Sequence, residues 1–552
     1  MKTGKARGAV VGVAMVAAAL FVACDTVSNR HGGGGSGGTG GGAAGGAGGG
    51  GSGGGNGTGD PVTCADAAAQ KSYVGCDYWP TVTANPVWNE FDFAVVIANT
   101  GTTDAMVTVT GPSAFNQTVT VPASQLSKIY LPWVTSLKRG EFDSCTSVTP
   151  LDSSALQTQG AYHLVSSVPV VVYQFSALEY GPQGGPTGKD WTSCTQKAMS
   201  CASQPLPCFS YSNDASLLLP STALTGNYRV TGWHSNYGTG QFMSITAVQD
   251  ATTVTVKLAA ASKVLAGTGV AAINGGATGT YTLNTGDVLQ LASRDTAIIG
   301  GGDVDPTGTL IKADKPVQVI AGDFCATNPA GAGACDHVEE SVFPAETLGK
   351  HYLVSAPPGP AGTPVGHTVR LVGNVDGTNL TFNPAVSGAP AMLNAGQVVD
   401  IGPTTTDFEV TGDHEFAVET MMQGGSIVDS GSPQTMQKGD PSQSLVFAVE
   451  QFRMGYLFLA PGDYDVNYVD ITAPTTAKLM LDGAAVTVTP TPIGTSTYGT
   501  FRVPITAGAT SGAHTLTSDM PMGIQVLGYG TYTSYQYPGG GNLSLIAPVP
   551  IG

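Results

Sequence analysis

The stretch Leu310-Ile-Lys-Ala-Asp-Lys-Pro-Val-Gln-Val-Ile320 contains a short apolar strand, a polar turn and a longer apolar strand. Similar stretches occur three more times, with turns that end at Pro169, Glu415 and Pro521. Apolar runs rich in β-branched residues and bounded by Gly, Asn, Asp or Pro are typical of strands, and helical i, i+3, i+4 apolar spacing is not sustained over any longer window. The sequence therefore predicts an all-β fold with one short helix over 65–71.

Two further motifs accompany the first in a constant order. One is a trio of residues with identical offsets, found as Pro220, Leu224 and Tyr228, as Pro344, Leu348 and Tyr352, and as Ala448, Phe452 and Tyr456. The other relates residues 283–291 to 393–401. Between these motifs, a hairpin that turns at Asp376-Gly377 is predicted over 368–382.

Three motifs in the same order predict an internal repeat. We expect about four diverged β-sandwich-like units of about 100 residues each. The predicted units are 61–210, 211–335, 336–440 and 441–540, within an all-β region of 61–552. A closed, propeller-like ring of sheets is the alternative arrangement.

The N-terminal segment has the features of an exported lipoprotein. Three basic residues precede an uncharged, mostly apolar stretch that ends before Cys24. This pattern predicts a signal peptide over 1–23 and lipidation of Cys24 with palmitate-type acyl chains. The rest of 24–60 is dominated by Gly and predicts a disordered linker. We therefore expect a lipid-anchored protein of the cell envelope, on the outer membrane or cell surface, with no other membrane attachment.

The charge balance limits the partners. With 22 Lys+Arg against 39 Asp+Glu, the formal net charge is −17. Phosphate backbones repel a chain of this charge, so no nucleic-acid partner is expected.

Nine cysteines are present, and eight remain when Cys24 is set aside. An even number in an exported chain predicts up to four disulfides. Short loops favour the pairs Cys64–Cys76 and Cys325–Cys335. The other candidates are Cys145, Cys194, Cys201 and Cys208.

Several stretches resemble one known family. The opening Cys64-Ala-Asp-Ala-Ala-Ala-Gln-Lys-Ser-Tyr-Val-Gly-Cys76, the strand Phe91-Asp-Phe-Ala-Val-Val-Ile-Ala-Asn-Thr100 and the run Cys335-Asp-His-Val-Glu-Glu340 are similar to the IgGFc-binding protein N-terminal domain found in bacterial surface lipoproteins. The resemblance covers roughly 64–540. It implies adhesion or protein binding at a surface, and it supplies no binding residues that could be assigned here.

The run that ends at Glu340 is also the densest group of potential metal ligands. His337 and Glu339 share one face of an extended strand, and Glu340 follows, so all three are candidate ligands. A structural role, in a loop closed by Cys325 and Cys335, is favoured over a metal site. No cofactor is expected.

No catalytic motif is present, since the sequence lacks a GxSxG nucleophile elbow between a strand and a helix, an HExxH pattern and a P-loop. We therefore expect a non-catalytic binding or adhesion protein for extracellular protein or glycan partners. The alternatives are a polysaccharide-acting hydrolase and a structural envelope protein. The candidate binding surface is the first half of the chain, because it contains all five tryptophans: Trp79, Trp88, Trp133, Trp191 and Trp233.

Overall fold

The computed structural model describes residues 61–140, 150–192, 194, 208–234, 238–294, 304–332, 334–505 and 512–550. The predicted signal peptide, lipidation site and linker lie outside these residues. The described part is nearly all β, which confirms the predicted class. None of its helices is long and apolar enough to cross a membrane.

The first sandwich consists of two sheets that share one long strand. Its strands are β1 Gly75–Tyr78, β2 Phe93–Ala98, β3 Ala105–Gly111, β4 Phe115–Val121, β5 Leu126–Leu131, β7 His163–Ser176 and β8 Asp214–Leu218. The first half of β7 pairs with β1 and β3, and its second half pairs with β2 and β8. The strand between β5 and β7, β6 Ser154–Gln157, joins the second sandwich instead.

The second sandwich has sheet orders β13-β6-β16-β10-β18-β19 and β15-β11-β17-β9, with β12 and β14 attached to the first of these sheets. Its own strands are β9 Asn227–Arg229, β10 Gln241–Ala247, β11 Thr252–Lys257, β12 Lys263–Val264, β13 Gly267–Thr268, β14 Ile273–Asn274, β15 Thr278–Leu283, β16 Val288–Ser293, β17 Leu310–Ala313, β18 Val317–Ala326 and β19 Asp336–Ser341. Because β6 comes from the first unit, these two sandwiches are linked through a shared sheet.

The third sandwich has sheet orders β20-β25-β22-β23 and β24-β21-β26-β27. Its strands are β20 His351–Val354, β21 His367–Gly373, β22 Thr378–Asn383, β23 Met392–Leu393, β24 Val398–Thr404, β25 Phe408–Gly412, β26 Phe416–Met422 and β27 Gln443–Leu445. The predicted hairpin over 368–382 is wrong, because β21 and β22 lie in different sheets. All of β21 is buried whereas β22 alternates, so the turn at Asp376-Gly377 carries the chain from one layer to the other.

The fourth sandwich again contains a strand shared by two sheets, β34, which pairs with β28 and β30 in one sheet and with β29 and β35 in the other. Its strands are β28 Arg453–Leu459, β29 Val466–Pro474, β30 Leu479–Leu481, β31 Ala484–Ala485, β32 Thr491–Pro492, β33 Tyr498–Ile505, β34 Ala513–Gly530 and β35 Thr533–Pro538.

The helices are short. The α-helices are α1 Cys64–Gln70, α2 Thr135–Lys138 and α3 Gly425–Val428, and the 3-10 turns are Pro112–Ala114, Ala345–Thr347, Gln434–Met436 and Val449–Gln451. The helix predicted over 65–71 is α1. It begins at a capping box formed by Thr63 and Asp66 and ends at Lys71 in the left-handed conformation.

The last strand of each sandwich forms an inner edge, and the four inner edges meet. β8 contacts β19 and β35, and β27 contacts the same two strands, so the contacts close a ring. Both predicted descriptions therefore apply: four sandwich units, arranged in a closed ring. Each inner strand pairs with the sheet that precedes it in the chain. The boundaries between the sandwiches therefore lie a few residues after the unit boundaries predicted from the motifs.

Hydrogen bonds between the inner strands hold this centre together. Asp214 on β8 accepts from the Glu339 backbone N–H at 2.9 Å and from the Ser442 hydroxyl, next to β27, at 2.7 Å. The Asp440 N–H donates to the Ser534 hydroxyl of β35 at 2.9 Å. Side chains at the centre thus replace the ladder bonds that the converging strand edges lack.

The ring is also closed between the two ends of the described chain. The Tyr73 N–H donates to the carbonyl oxygen of Gly541, and the Leu543 N–H donates to that of Lys71. An isolated antiparallel bridge joins Ser72 to Asn542 between them. The first and fourth sandwiches are therefore joined by backbone hydrogen bonds.

One tyrosine in each sandwich links two of the sequence motifs. The hydroxyls of Tyr228, Tyr352 and Tyr456 donate to carbonyl oxygens at 2.5, 2.5 and 2.7 Å. The acceptors directly follow the turns of the first motif: Val317, Phe416 and Met522. Tyr78 makes the same bond to Val170 at 2.5 Å and is a fourth copy that the motif search missed.

We expect Tyr352→Phe to lower the free energy of unfolding by about 1–3 kcal/mol, because it leaves the buried Phe416 carbonyl oxygen and Gly349 N–H without a partner. Urea denaturation measures the change. Tyr498→Phe, on β33 of the fourth sandwich, is the control, since Tyr498 is partly exposed, and a change within about 0.5 kcal/mol is expected. Equal losses in the two variants would contradict the proposed role of the hydroxyl.

Buried carboxyl groups at the centre predict a pH dependence. Burial, together with repulsion from Asp440 and Asp214, raises the pKa of Asp336 well above its usual value. Burial raises the pKa of Asp440 as well. Neither carboxyl oxygen of Asp336 has a well-formed hydrogen bond in the described part of the chain, although the backbone N–H groups of His337 and Ser534 lie close enough to favour ionisation. The protonated forms are therefore favoured in the fold.

An acid with a raised pKa keeps in the folded state a proton that the unfolded chain has released, so stability falls as pH rises above about 4. Asp336→Asn removes this loss, and we expect it to increase the free energy of unfolding more at pH 8 than at pH 5, as measured by urea denaturation. In Asp152, hydrogen bonds from Ser153 and Arg139 lower the pKa, so Asp152→Asn should have the same effect at both pH values. An Asp336→Asn effect that does not change with pH would refute the interpretation.

Candidate functional site

The three candidate metal ligands lie on β19, inside the ring, and all are buried. His337 Nε2 is 3.3 Å from Glu339 Oε2, on one face of the strand as predicted. Glu339 also accepts hydrogen bonds from the side chains of Thr83, Gln174 and Ser216. These contacts tie β19 to the first sandwich and leave no carboxylate oxygen of Glu339 unengaged.

Glu340 points to the opposite side of β19, where it accepts from the backbone N–H groups of Leu217 and Ser341. The geometry therefore separates Glu340 from His337 and Glu339. Within the described residues, no group of three or more His, Cys, Asp or Glu side chains is arranged to hold a metal ion.

The described residues contain three disulfides. The pairs favoured by short loops, Cys64–Cys76 and Cys325–Cys335, both form, with Cα atoms 5.7 and 5.1 Å apart. Cys194 pairs with Cys208. Cys145 and Cys201 lie outside the described residues.

A groove of about 880 Å³ lies where the first sandwich meets the second, and we call it the interdomain groove. Four separate loops form its walls: the β3–β4 turn at 111–114, the segment 132–136 after β5, residues 157–159 after β6, and 285–286 before β16. Trp79, Tyr162 and His163 add to its lining. Its volume is in the range of small-ligand sites, about 300–1,000 Å³.

Two rings form a flat platform in the interdomain groove. His163 stacks on Trp79, with ring centroids 4.2 Å apart and planes inclined by 9°. His163 Nε2 lies 2.7 Å from Asp77 Oδ2, and the Trp79 indole N–H donates to Asp77 Oδ1 at 3.2 Å. The side chain of His163 remains 36% exposed, so the outer ring of the platform is accessible.

Asp77 fixes the platform electrostatically. Burial raises its pKa, but hydrogen bonds from His163, Ser221 and Trp79 outweigh burial and lower the pKa below its ordinary value. The carboxylate is therefore ionised at neutral pH and fixes the orientation of the imidazole beside it.

The remaining rings of the groove are also held by hydrogen bonds. The Tyr162 hydroxyl donates to the Pro132 carbonyl oxygen at 2.6 Å, and the Trp133 indole N–H donates to that of Phe91 at 2.8 Å. A Cβ atom at Gly111 would lie 2.4 Å from the ring of Tyr162, so only glycine permits this approach. The aromatic lining is thus preorganised.

The polar walls connect both sandwiches. The Ser136 hydroxyl donates to Gln157 Oε1 at 2.6 Å. The backbone N–H of Gln159 donates to Asp287 Oδ1 at 3.0 Å, and its side-chain amide donates to the Thr285 carbonyl oxygen at 2.6 Å. Gln159 has a φ of 48°, a conformation that non-glycine residues rarely adopt and that is enriched at functional sites.

The lining of the interdomain groove contains no Lys, Arg, Asp or Glu. It therefore lacks the two carboxyl groups, about 5–10 Å apart, that most glycoside hydrolases use. Hydroxyl and amide side chains supply its polar surface instead.

The structure brings Trp79 and Trp133 together in the groove but not the other tryptophans. Trp88 and Trp233 are buried elsewhere, and Trp191 lies partly exposed beneath the Lys189 ammonium, 4.3 Å from the ring centroid. Of the two rings in the groove, Trp133 is half-buried and Trp79 is buried under the ring of His163, so the predicted tryptophan surface is largely absent. No signal in the sequence marks Ser136, Gln157 or Gln159, because they belong to no motif.

Comparisons with known proteins identify the family but no close relative. The family model described as IgGFc binding protein matches residues 214–528. No curated protein matches the chain.

Two solved structures show weak similarity. An anti-sigma factor domain-containing protein from Clostridium clariflavum is 12% identical, over 58% of this chain and 83% of that chain, with a TM-score of 0.10. A tetra-tandem repeat from the extending region of a large adhesion protein is 13% identical, over 84% and 98% of the two chains, with a TM-score of 0.08. Neither score supports an argument about fold or function.

The family match, in contrast, extends from β8 to the second half of β34 and includes all of the third sandwich and every strand of the second except β6. It also includes Cys335 to Glu340, the run that most resembles the family in sequence. Since the match spans more than half of the 552 residues, the chain belongs to the IgGFc-binding protein family, whose members are binding proteins.

Proposed function

We propose that the protein is a non-catalytic adhesin, held outside the cell by lipidated Cys24, that binds an extracellular protein or glycan in the interdomain groove. Family membership supports the binding class. The observation that carries the proposal is the His163–Trp79 platform, which is fixed by Asp77 and remains accessible. Rings that are ordered before a partner arrives bind it at a low cost in conformational entropy.

The two alternative functions have less support. A hydrolase needs carboxyl groups in its cleft, and the lining of the groove contains none. A purely structural protein has no need for an accessible aromatic platform or for Gln159 in a rare backbone conformation. Both features are expected of a binding site.

The N-terminal segment supports a location outside the cell. A flexible Gly-rich linker of the predicted length has a root-mean-square span of about 30 Å, from ~5–6 Å × √n. Such a linker would separate the folded body from the lipid surface to which Cys24 is attached, so that the groove can meet a partner in the surroundings.

The anchor is tested with Cys24→Ser in cells that export the full chain. We expect mass spectrometry to find acyl chains on the N-terminus of the mature wild-type protein and none on the variant, which should be released into the medium. Protease added to intact cells should digest the wild-type body. An unacylated wild-type protein, or a body protected from protease, would refute the proposed location.

The groove is tested with Thr135→Arg and Thr158→Arg, which place a long cation in the groove from exposed positions and remove no packing. Cells that display the full chain are applied to immobilised extracellular proteins, including the Fc fragment of immunoglobulin G, and to immobilised polysaccharides. We expect retention on at least one surface and a reduction of at least about tenfold in the variants, as expected for a loss of 1.4 kcal/mol.

Thr120→Arg is the matched control, because it adds the same charge to an exposed position of β4 outside the groove. It should leave retention unchanged. Retention on no surface, or retention that is insensitive to both groove variants, would contradict the proposed function.

A further inference from the structure

The chemistry of the groove narrows the class of ligand. We infer that the interdomain groove binds an uncharged oligosaccharide, with one sugar ring stacked on the His163–Trp79 platform. This inference rests on the proposed binding function and specifies its ligand.

The His163–Trp79 platform fits the apolar face of a pyranose ring. The His163 and Trp79 planes differ by only 9°, and Trp79 is buried, so the platform presents the flat ring of His163 supported by the indole. The half-buried Trp133 extends the aromatic lining beside it, whereas Tyr162 is fully buried, and backbone carbonyl groups hold the polar atom of each of these two rings. A flat, rigid aromatic face favours a flat apolar surface on the ligand and loses little entropy on binding.

The walls fit hydroxyl groups. Four exposed hydroxyl side chains line the groove and make no side-chain hydrogen bond within the described part of the chain: Thr110, Ser113, Thr135 and Thr158. Gln157 accepts one bond from Ser136 and donates one to the Thr158 carbonyl oxygen, which leaves part of its capacity free. A hydroxyl group is both a donor and an acceptor, so this surface suits a ligand rich in hydroxyl groups.

The charges of the site exclude a strongly ionic ligand. The lining offers no Lys or Arg to an acidic or sulfated sugar, and the net charge of −17 repels polyanions. It also offers no carboxylate to a cationic ligand, since Asp77 is engaged with His163 and Ser221. An uncharged ligand is not repelled by the net negative charge and needs no oppositely charged side chain in the groove.

The position of the groove argues against a peptide ligand. Extended peptides bind by adding a strand to a sheet edge, and helical peptides need an apolar groove. The interdomain groove is walled by loops and turns and is mostly polar, so it offers neither mode. The observations therefore favour a glycan over a protein partner.

The test uses the purified full chain in detergent and isothermal titration calorimetry. The probes are neutral hexasaccharides of glucose, mannose and galactose, a hexasaccharide of alternating uronic acid and N-acetylhexosamine, and the immunoglobulin Fc fragment. We expect saturable binding of at least one neutral hexasaccharide below about 10 mM and none of the charged one.

Two kinds of variant assign that binding to the groove. His163→Ala removes the outer ring of the platform, and Thr158→Arg blocks the groove while keeping every packed side chain; each should weaken binding at least about tenfold. Thr120→Arg should bind as the wild type does. Thermal unfolding of each variant shows that the body remains folded, and Thr158→Arg keeps the test decisive if His163→Ala unfolds.

The outcomes separate this inference from the proposed function. If the groove variants abolish cell retention but no neutral hexasaccharide binds, the ligand class is wrong and the binding function stands. Tight binding of the Fc fragment that Thr158→Arg abolishes would also overturn the inference, in favour of a protein ligand. Oligosaccharide binding that survives both groove variants would place the site elsewhere and refute it.

Discussion

Four strand edges converge at the centre of this protein, and the need to satisfy their polar groups without water shapes the rest of the fold. An inner strand such as β19 pairs on one side only, so its other edge presents unpaired backbone groups to the centre. Short polar side chains meet this need: Asp214 bonds to β19 and to Ser442 next to β27, and Ser534 of β35 accepts from Asp440 in the segment before β27. A purely apolar centre would have left those groups without partners, at a cost comparable to a lost hydrogen bond each.

The same requirement explains why so many acids are buried in a chain that has few charged residues. Asp336 and Glu340 lie where the inner strands meet, and burial raises the pKa of each. Most of the stability of the sandwiches comes instead from apolar packing, including a cluster that joins the first, third and fourth units through residues such as Tyr173, Val372 and Phe458. Packing thus holds the units together, while the polar centre fixes how they meet.

Much of the fold could be predicted from the sequence, because each unit repeats a local hydrogen-bonding device. The trio motif has the same spacing in three units and ends at Tyr228, Tyr352 or Tyr456. This tyrosine donates its hydroxyl to the strand that follows each polar turn. Alternation alone could not show which strands pair. The prediction of a hairpin failed at Asp376-Gly377. Two apolar runs joined by a tight turn have the same sequence pattern whether the two strands pair in one sheet or lie in two different sheets.

The candidate site was far less accessible to sequence reasoning. The groove combines Trp79, Trp133 and His163 with residues as distant as Gly286, and these lie together only because β6 leaves its own sandwich for the next. The tryptophans pointed to the half of the chain that contains most of the groove, whereas the glutamines and hydroxyls of the walls carry no pattern. The acidic run at 335–340 was prominent in the sequence, and the fold uses it as internal support for β19.

The Cys64–Cys76 disulfide has a mechanical consequence for the bridge between Ser72 and Asn542. A pull on the chain at residue 61 is carried past α1 by this disulfide directly to β1, so the force does not unravel the helix first. Residues 71–73 lie within the same disulfide loop, so the pull also bypasses their antiparallel bonds to 541–543. The closure between the first and fourth sandwiches therefore stays unloaded, and the first sandwich takes up the force through β1.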